Sequence, residues 1–301
     1  MTIALLESTS LASMFDHSFM VHAFLATTFL APACGLVGYF VVLRNEVFAG
    51  DALSHVAFTG SLAALALGAH QRVGLFGATV AFAVILGLLG NRARVGDVAI
   101  GTTFAWILGI GVLFLALFTT HHSTSNSQAG PEVLFGSVFG ISMAGAVQAA
   151  VLAIAICVVM LSIARPLLFA SIDAAVAAAQ GVQTRVLTLV FMTILGVTVA
   201  EATQVVGALL LLGLIATPAA TAHLLTARPY VAMWLSVALC LAVVWIGLTV
   251  SYLLPTLPPS FVLIAVAFGT YVAVAVTARI RADQGTGEQG TTTSGSSTFS
   301  R

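Results

Sequence analysis

An all-α membrane bundle that crosses the bilayer several times is the fold class this sequence predicts, on three observations. Hydrophobic residues make up 60% of the 301-residue chain and charged residues only 7%, far too few charges to coat a soluble protein of this length. The apolar residues fall in runs close to the ~20 that a bilayer-spanning helix needs. Nearly every charge lies at the end of such a run. Soluble enzymes, nucleic-acid binders and disordered regulators are thereby excluded. Net charge is zero, so no nucleic acid or other polyanion is expected as a partner; the lipid bilayer is.

Nine runs qualify, giving eight or nine transmembrane helices. Residues 22–43 form the first, too long and too far from the N-terminus for a cleaved signal peptide. Residues 50–68, 73–90, 97–118 and 141–164 follow. The sixth and seventh, 186–201 and 205–224, are separated only by Ala202, Thr203 and Gln204, so they are either two spans or one re-entrant hairpin. Residues 230–253 and 261–279 complete the set. The membrane-spanning core therefore covers 22–280, after an interfacial N-terminal segment over 1–21. Residues 281–301, rich in Gly, Ser and Thr, are expected to form a disordered tail, since they cannot bury a core.

All ten basic residues are arginine and none is lysine. A Walker A loop, which needs a lysine at the phosphates, is excluded, as is Schiff-base chemistry on a lysine amine. Threading nine spans alternately puts Arg44, Arg92, Arg94, Arg165, Arg185, Arg228, Arg279, Arg281 and Arg301 on one side and only Arg72 on the other. The positive-inside rule then sets the N-terminus outside and the C-terminus in the cytoplasm. Cys34, Cys157 and Cys240 lie far apart in apolar runs and read as small core residues rather than a zinc or disulfide set.

Charge inside the bilayer costs at least about 2.5 kcal/mol per residue, so each instance needs a reason. Asp51 and His55 stand out, four residues apart in the second run. That spacing puts a carboxylate and an imidazole on one helix face. Together they suit a borderline divalent ion such as zinc, manganese or ferrous iron; the structural alternative is that they pair with each other or with water. Glu201 and Gln204 fall at the expected outer turn, either a gate or outer mouth or simply a solvated turn. His223 is expected at a helix end, near the negative pole of the macrodipole. The adjacent His121 and His122 sit in a polar outer loop. Gly136 and Gly140 form a GxxxG spacing, which reads better as a loop or helix entry than as a packing motif.

The longest cytoplasmic loop is 165–185, opened by Arg165 and Pro166. Ser171 or Asp173 can cap a short alanine-rich helix there, and Gly181 can end it in the left-handed conformation. Such a helix is either a docking surface for a cytoplasmic partner or a plain interfacial connector.

Four stretches resemble the permease subunits of ABC importers for zinc, manganese or iron. They are Val41 to Arg44 leading into Gly50-Asp51-Ala52-Leu53-Ser54-His55-Val56-Ala57-Phe58, then Gly96 to Gly101, then Leu134-Phe135-Gly136-Ser137, and the helix Leu212 to Leu225 with Pro218 in the characteristic place. The resemblance covers roughly 22–280. It implies a homodimer with the path at or near the subunit interface, two separate cytoplasmic ATP-binding subunits and an extracellular metal-binding protein. It makes Asp51 and His55 the transient ion-coordinating pair. It also makes 167–181 the ATPase-coupling segment, including Leu168, Phe169, Asp173, Gln180 and Gly181. No permanent cofactor and no catalytic residue is expected; Zn2+, Mn2+ or Fe2+ is the cargo, and the bacterial plasma membrane the location. His223, the histidine-bearing loop and the tail have no counterpart in the resemblance.

Two alternatives belong beside this reading. A permease for an iron-siderophore or cobalamin complex would not need Asp51 and His55 as ligands. An ion-coupled secondary transporter would work without an ATPase and would be expected to carry more intramembrane carboxylates. An intramembrane protease of the HExxH type lacks its motif here.

Overall fold

A chain with this many apolar runs can satisfy its backbone in hydrocarbon only as helix or closed barrel, and the computed structural model is helical throughout. It describes residues 13–89, 97–121, 134 and 136–292, with no strand among them. After a short 3-10 turn at Ser13–Asp16 come α1 (Ser18–Leu43), α2 (Val47–Ala66), α3 (Gln71–Leu89) and α4 (Asp97–His121). Then follow α5 (Met143–Ile172), the six-residue α6 (Ala174–Ala179), α7 (Thr184–Val206), α8 (Leu211–Leu225), α9 (Pro229–Leu253) and α10 (Pro259–Thr292). Each of the nine apolar runs overlaps one long helix. Among the described residues, six helices are long and apolar enough to cross a membrane: α1, α3, α5, α7, α9 and the Pro259–Ile280 part of α10. The 15 residues of α8 extend only about 22 Å at 1.5 Å per residue.

The core is built around α1, which packs against α5, α8 and α9 and touches α7. Its most apolar window is 72% buried, against 17% for α10 at the edge. Tyr39, Phe40, Phe191, Leu195 and Leu211 are fully buried there. Because lipid is as apolar as leucine, helix contacts rely on close packing and hydrogen bonds. Ser236 of α9 donates to the Gly35 carbonyl of α1 at 2.8 Å, and Thr59 of α2 donates to the Ile107 carbonyl of α4 at 3.0 Å. Gly60 of α2 meets Gly74 of α3 almost backbone to backbone: a Cβ on Gly60 would lie 2.5 Å from the Gly74 carbonyl oxygen.

Three boundaries differ from the sequence expectation. Pro166 does not close the fifth helix, because α5 continues through it to Ile172; proline is tolerated in such helices when neighbours re-satisfy the freed carbonyl. The turn expected at Ala202–Gln204 lies further on. Helix α7 runs to Val206 and is stopped by Gly207 at φ +93°, a conformation that favours glycine, whereas Ala202–Thr203–Gln204 contains no helix breaker. Finally, α10 reaches Thr292, eleven residues past the tail boundary at 281; glycine weakens a helix by about 1 kcal/mol but removes no hydrogen bond. Residues 293–301 and the arginines at 92 and 94 lie outside the described residues, as does His122.

Gly136 and Gly140 do not form a helix-packing stripe. Gly136 has φ +74° and sits in the segment leading to a 3-10 turn at Val138–Gly140, against the end of α7, where a Cβ would lie 2.5 Å from the Val205 carbonyl oxygen.

The α2–α3 contact gives a direct test. Gly60→Val should force the two helices apart at a cost of about 1–3 kcal/mol. The melting temperature of the detergent-solubilised protein is expected to fall by several degrees, and an unchanged value would show that the contact is not tight.

Candidate functional site

Helix α2 is the polar exception among apolar neighbours, and its own spacing builds the site. Asp51 and His55 stand one turn apart, with His55 Nε2 3.7 Å from Asp51 Oδ1. That gap is too long for a hydrogen bond, but two donors each about 2.1 Å from a shared divalent ion can lie up to about 4.2 Å apart. The two side chains differ in surroundings: His55 is 9% exposed and Asp51 31%. Ser54 turns its hydroxyl back onto the Asp51 carbonyl at 2.7 Å, so it competes for neither side chain. Phe48, Asp51, Ala52, Thr59 and Ala63 make a partly open stripe along α2, while Leu53, Val56, Ala57 and Phe58 are buried. Asp51 therefore lies on the partly open stripe of α2, while His55, one turn further on, is buried. No group of three or more His, Cys, Asp or Glu side chains is placed to hold a metal among the described residues.

Glu201 and Gln204 are not on a turn. Both belong to the last two turns of α7, three residues apart and so on one face. Glu201 is 5% exposed, and the Gln204 amide nitrogen is buried without a hydrogen-bond partner. The cation acting on Glu201 is Arg72, at the start of α3, which itself donates to the side-chain Oε1 of Gln148 on α5. What read as a loop position is thus a buried carboxylate near the end of α7. The signal available in the sequence was Gly207, the residue able to end α7 with a positive φ.

His223, in the last turn of α8, stacks on the buried Tyr39 ring at 4.8 Å and 8°. It packs α8 onto α1 rather than standing free at a helix end.

The 165–185 region divides in two. Leu167 and Leu168 are buried as the last turns of α5, with Phe169 half-buried beside them. Beyond them, Asp173 Oδ1 caps α6 by accepting from the Ala175 and Val176 amides at 2.9 and 3.0 Å. Gly181 ends it at φ +85°, and the Val182 amide returns to the Ala177 carbonyl. This is the cap-and-stop arrangement expected from Asp173 and Gly181. Ile172, Val176 and Gln180 are exposed while Ala177 packs inward. A short rigid helix therefore presents an apolar outer face at one end of the bundle.

A bundle of apolar helices with buried charge confined to a few helix faces is a multi-pass membrane protein of the transport type. The model of the ABC 3 transport family matches residues 16–278, and the chain belongs to that family. It is 29% identical over 233 residues to the manganese transport system membrane protein MntC of Halalkalibacterium halodurans, covering 76% of this chain and 75% of that protein. It is also 29% identical over 215 residues to the chelated iron transport system membrane protein YfeC of Yersinia pestis, covering 71% of each. Among solved structures, PsaBC from Streptococcus pneumoniae in complex with Fab has the same fold, with a TM-score of 0.74 and 23% identity over 91% of this chain and 95% of that one.

The Glu201–Arg72 arrangement yields a stability prediction. Truncating Arg72 to Ala should lower the melting temperature by removing the positive charge whose field acts on the buried Glu201 carboxylate, and adding Glu201→Gln should recover most of the loss. Equal melting temperatures for Arg72→Ala and wild type would show that the two do not interact.

Proposed function

We propose that this chain is the membrane-spanning permease of an ATP-powered importer that carries a divalent transition metal, zinc, manganese or iron, into the cytoplasm. The observation that carries the reading is the Asp51–His55 pair, 3.7 Å apart on α2, in a chain of the ABC 3 transport family. Manganese and iron relatives support the cargo class. Two donors hold an ion loosely, as a path requires, because a site that filled its coordination sphere within one subunit would release its cargo slowly. The partly open stripe on α2 supports a homodimer in which a second copy adds its own pair.

The chain crosses the bilayer eight or nine times in this reading, N-terminus outside and C-terminus cytoplasmic, with α6 among the arginine-bearing cytoplasmic ends. Two separate ATP-binding subunits dock on α6, through Ile172 and Val176 and around Asp173, Gln180 and Gly181. An extracellular metal-binding protein delivers the ion, and Glu201 with Gln204 lies at the outer end of its path. The absence of lysine from the chain supports this division of labour, since a Walker A site needs one. The bacterial plasma membrane is the proposed location.

The decisive test is metal uptake by starved cells carrying this permease with its ATPase and binding protein, offered zinc, manganese and iron together. Uptake of one metal, lost at equal expression in both Asp51→Asn and His55→Ala, is the expected result. Uptake indifferent to both substitutions would place the ion path elsewhere, and no metal uptake by an intact assembly would favour an organic chelate as cargo. A second expectation concerns α6: Val176→Asp puts a charge on its apolar outer face and should abolish co-purification of the ATPase subunits while leaving the permease folded.

A further inference from the structure

The α1–α2 turn holds a polar bridge that the transport reading does not use. Arg44 closes α1, Asn45 takes the left-handed conformation at φ +56°, and Glu46 opens α2. The Arg44 guanidinium reaches in two directions. Nε and Nη2 both lie 3.0 Å from Glu46 Oε1, while Nη2 also donates to Thr188 Oγ1 of α7 at 3.2 Å. The same guanidinium lies over the Phe191 ring at 5.4 Å, one turn further along α7. Thr188 and Phe191 share one face of α7, so Arg44 grips that helix at two points, once by a hydrogen bond and once by a cation–π contact.

The position of this bridge is what matters. Helix α7 starts at Thr184, five residues after α6 ends. Helix α2 starts at Val47, four residues before Asp51. Between the two beginnings lies a cavity of about 920 Å³, with Arg44, Glu46 and Thr188 on its wall and Ser171 and Ile172 from the end of α5 and Ala174 from the start of α6 also lining it. Helices α2 and α7 also pack directly on each other beyond this cavity; beside it, Arg44 adds the polar link between them, and packed and hydrogen-bonded side chains transmit a push. The bridge is also costly to break. The second Glu46 carboxylate oxygen is buried without a hydrogen-bond partner; burial pushes its acid up from the ordinary glutamate value while Arg44 pulls it back down. Held between a buried carboxylate and α7, the arginine cannot swing out to solvent without leaving that charge behind.

We propose that Arg44 is the positioning residue that passes movement of α6 and α7 to the helix bearing Asp51 and His55, through its simultaneous hold on Thr188 and Glu46. This rests on the reading above in one respect, that ATP-binding subunits act on α6. Thr188→Val is the informative substitution, because it removes only the hydroxyl that accepts from Arg44, is close to isosteric and leaves the Arg44–Glu46 pair intact. Arg44→Ala removes the whole bridge, and Arg44→Lys keeps the charge without the planar fork that serves two acceptors at once.

The experiment uses the full chain reconstituted with its ATPase subunits and binding protein. A cysteine-attached fluorescent label at Phe48, exposed in the first turn of α2, reports movement of that helix when a non-hydrolysable ATP analogue is added. Metal moved per ATP hydrolysed is measured on unlabelled protein in parallel. The expected result is a label response in wild type that Thr188→Val and Arg44→Lys reduce and Arg44→Ala abolishes, together with a fall of about tenfold in metal moved per ATP in Thr188→Val, the factor one charge-assisted hydrogen bond can contribute to a two-state equilibrium. ATP turnover and subunit assembly should stay near wild type in Thr188→Val, which a merely structural role would not separate from transport. An unchanged label response in Thr188→Val overturns the proposal, as does a wild-type label that never responds. A responding label in an assembly that moves no metal leaves the bridge standing and removes the metal reading instead.

Discussion

Every backbone donor and acceptor in a bilayer has to find its partner inside the protein, and that constraint shapes the rest of this structure. It makes each apolar run a helix and sends charge to the helix ends. The polar groups that do lie within helices then become conspicuous. Buried threonines illustrate the rule: Thr27, Thr79, Thr198 and Thr203 each turn the hydroxyl onto the carbonyl four residues back, so they need nothing from a neighbour. Asp51, His55 and Glu201 cannot be silenced that way, and each sits where another helix or an open face can meet it.

Close helix approach follows from the same constraint, since hydrocarbon supplies no hydrophobic drive between helices. Small residues let α2 lie against α3 and α9 against α1 with backbones nearly touching. The benefit falls on α2 in particular. Pinned to α3 at Gly60 and to α4 at Thr59, it holds a carboxylate and an imidazole at fixed spacing while keeping one face partly open. Rigid support beside an uncovered face is what a passing ion needs, because the ligands must be placed beforehand yet remain reachable.

Polar connections at the helix ends do a different job. Asp173 and Gly181 define α6 as a separate rigid piece, and Arg44 binds the α1–α2 turn to the first turns of α7. These contacts involve few residues, and their chemistry is ordinary capping and ion pairing. Their importance lies in location, between the exposed face of α6 and the helix that carries Asp51 and His55.

Much of this was legible in the chain alone. Among the described residues every apolar run found by hydropathy overlaps a helix, because a 3.6-residue fold with internally satisfied backbone is the only economical use of such runs. Asp51 and His55 were legible because four residues is one helical turn, and the α6 cap and stop because Asp and Gly have local conformational reasons to be there. The helix ends were read less well: Pro166 looked like a stop and was absorbed within α5, while Gly207 was overlooked and Glu201 consequently assigned to a turn. Local chemistry says which residues can end a helix, but whether they do depends on what packs against them. The hold of Arg44 on Thr188, 144 residues away, and that of Arg72 on Gln148 of α5 were decided by tertiary structure alone, since hydropathy and spacing carry no information about which distant helix a charged side chain will meet.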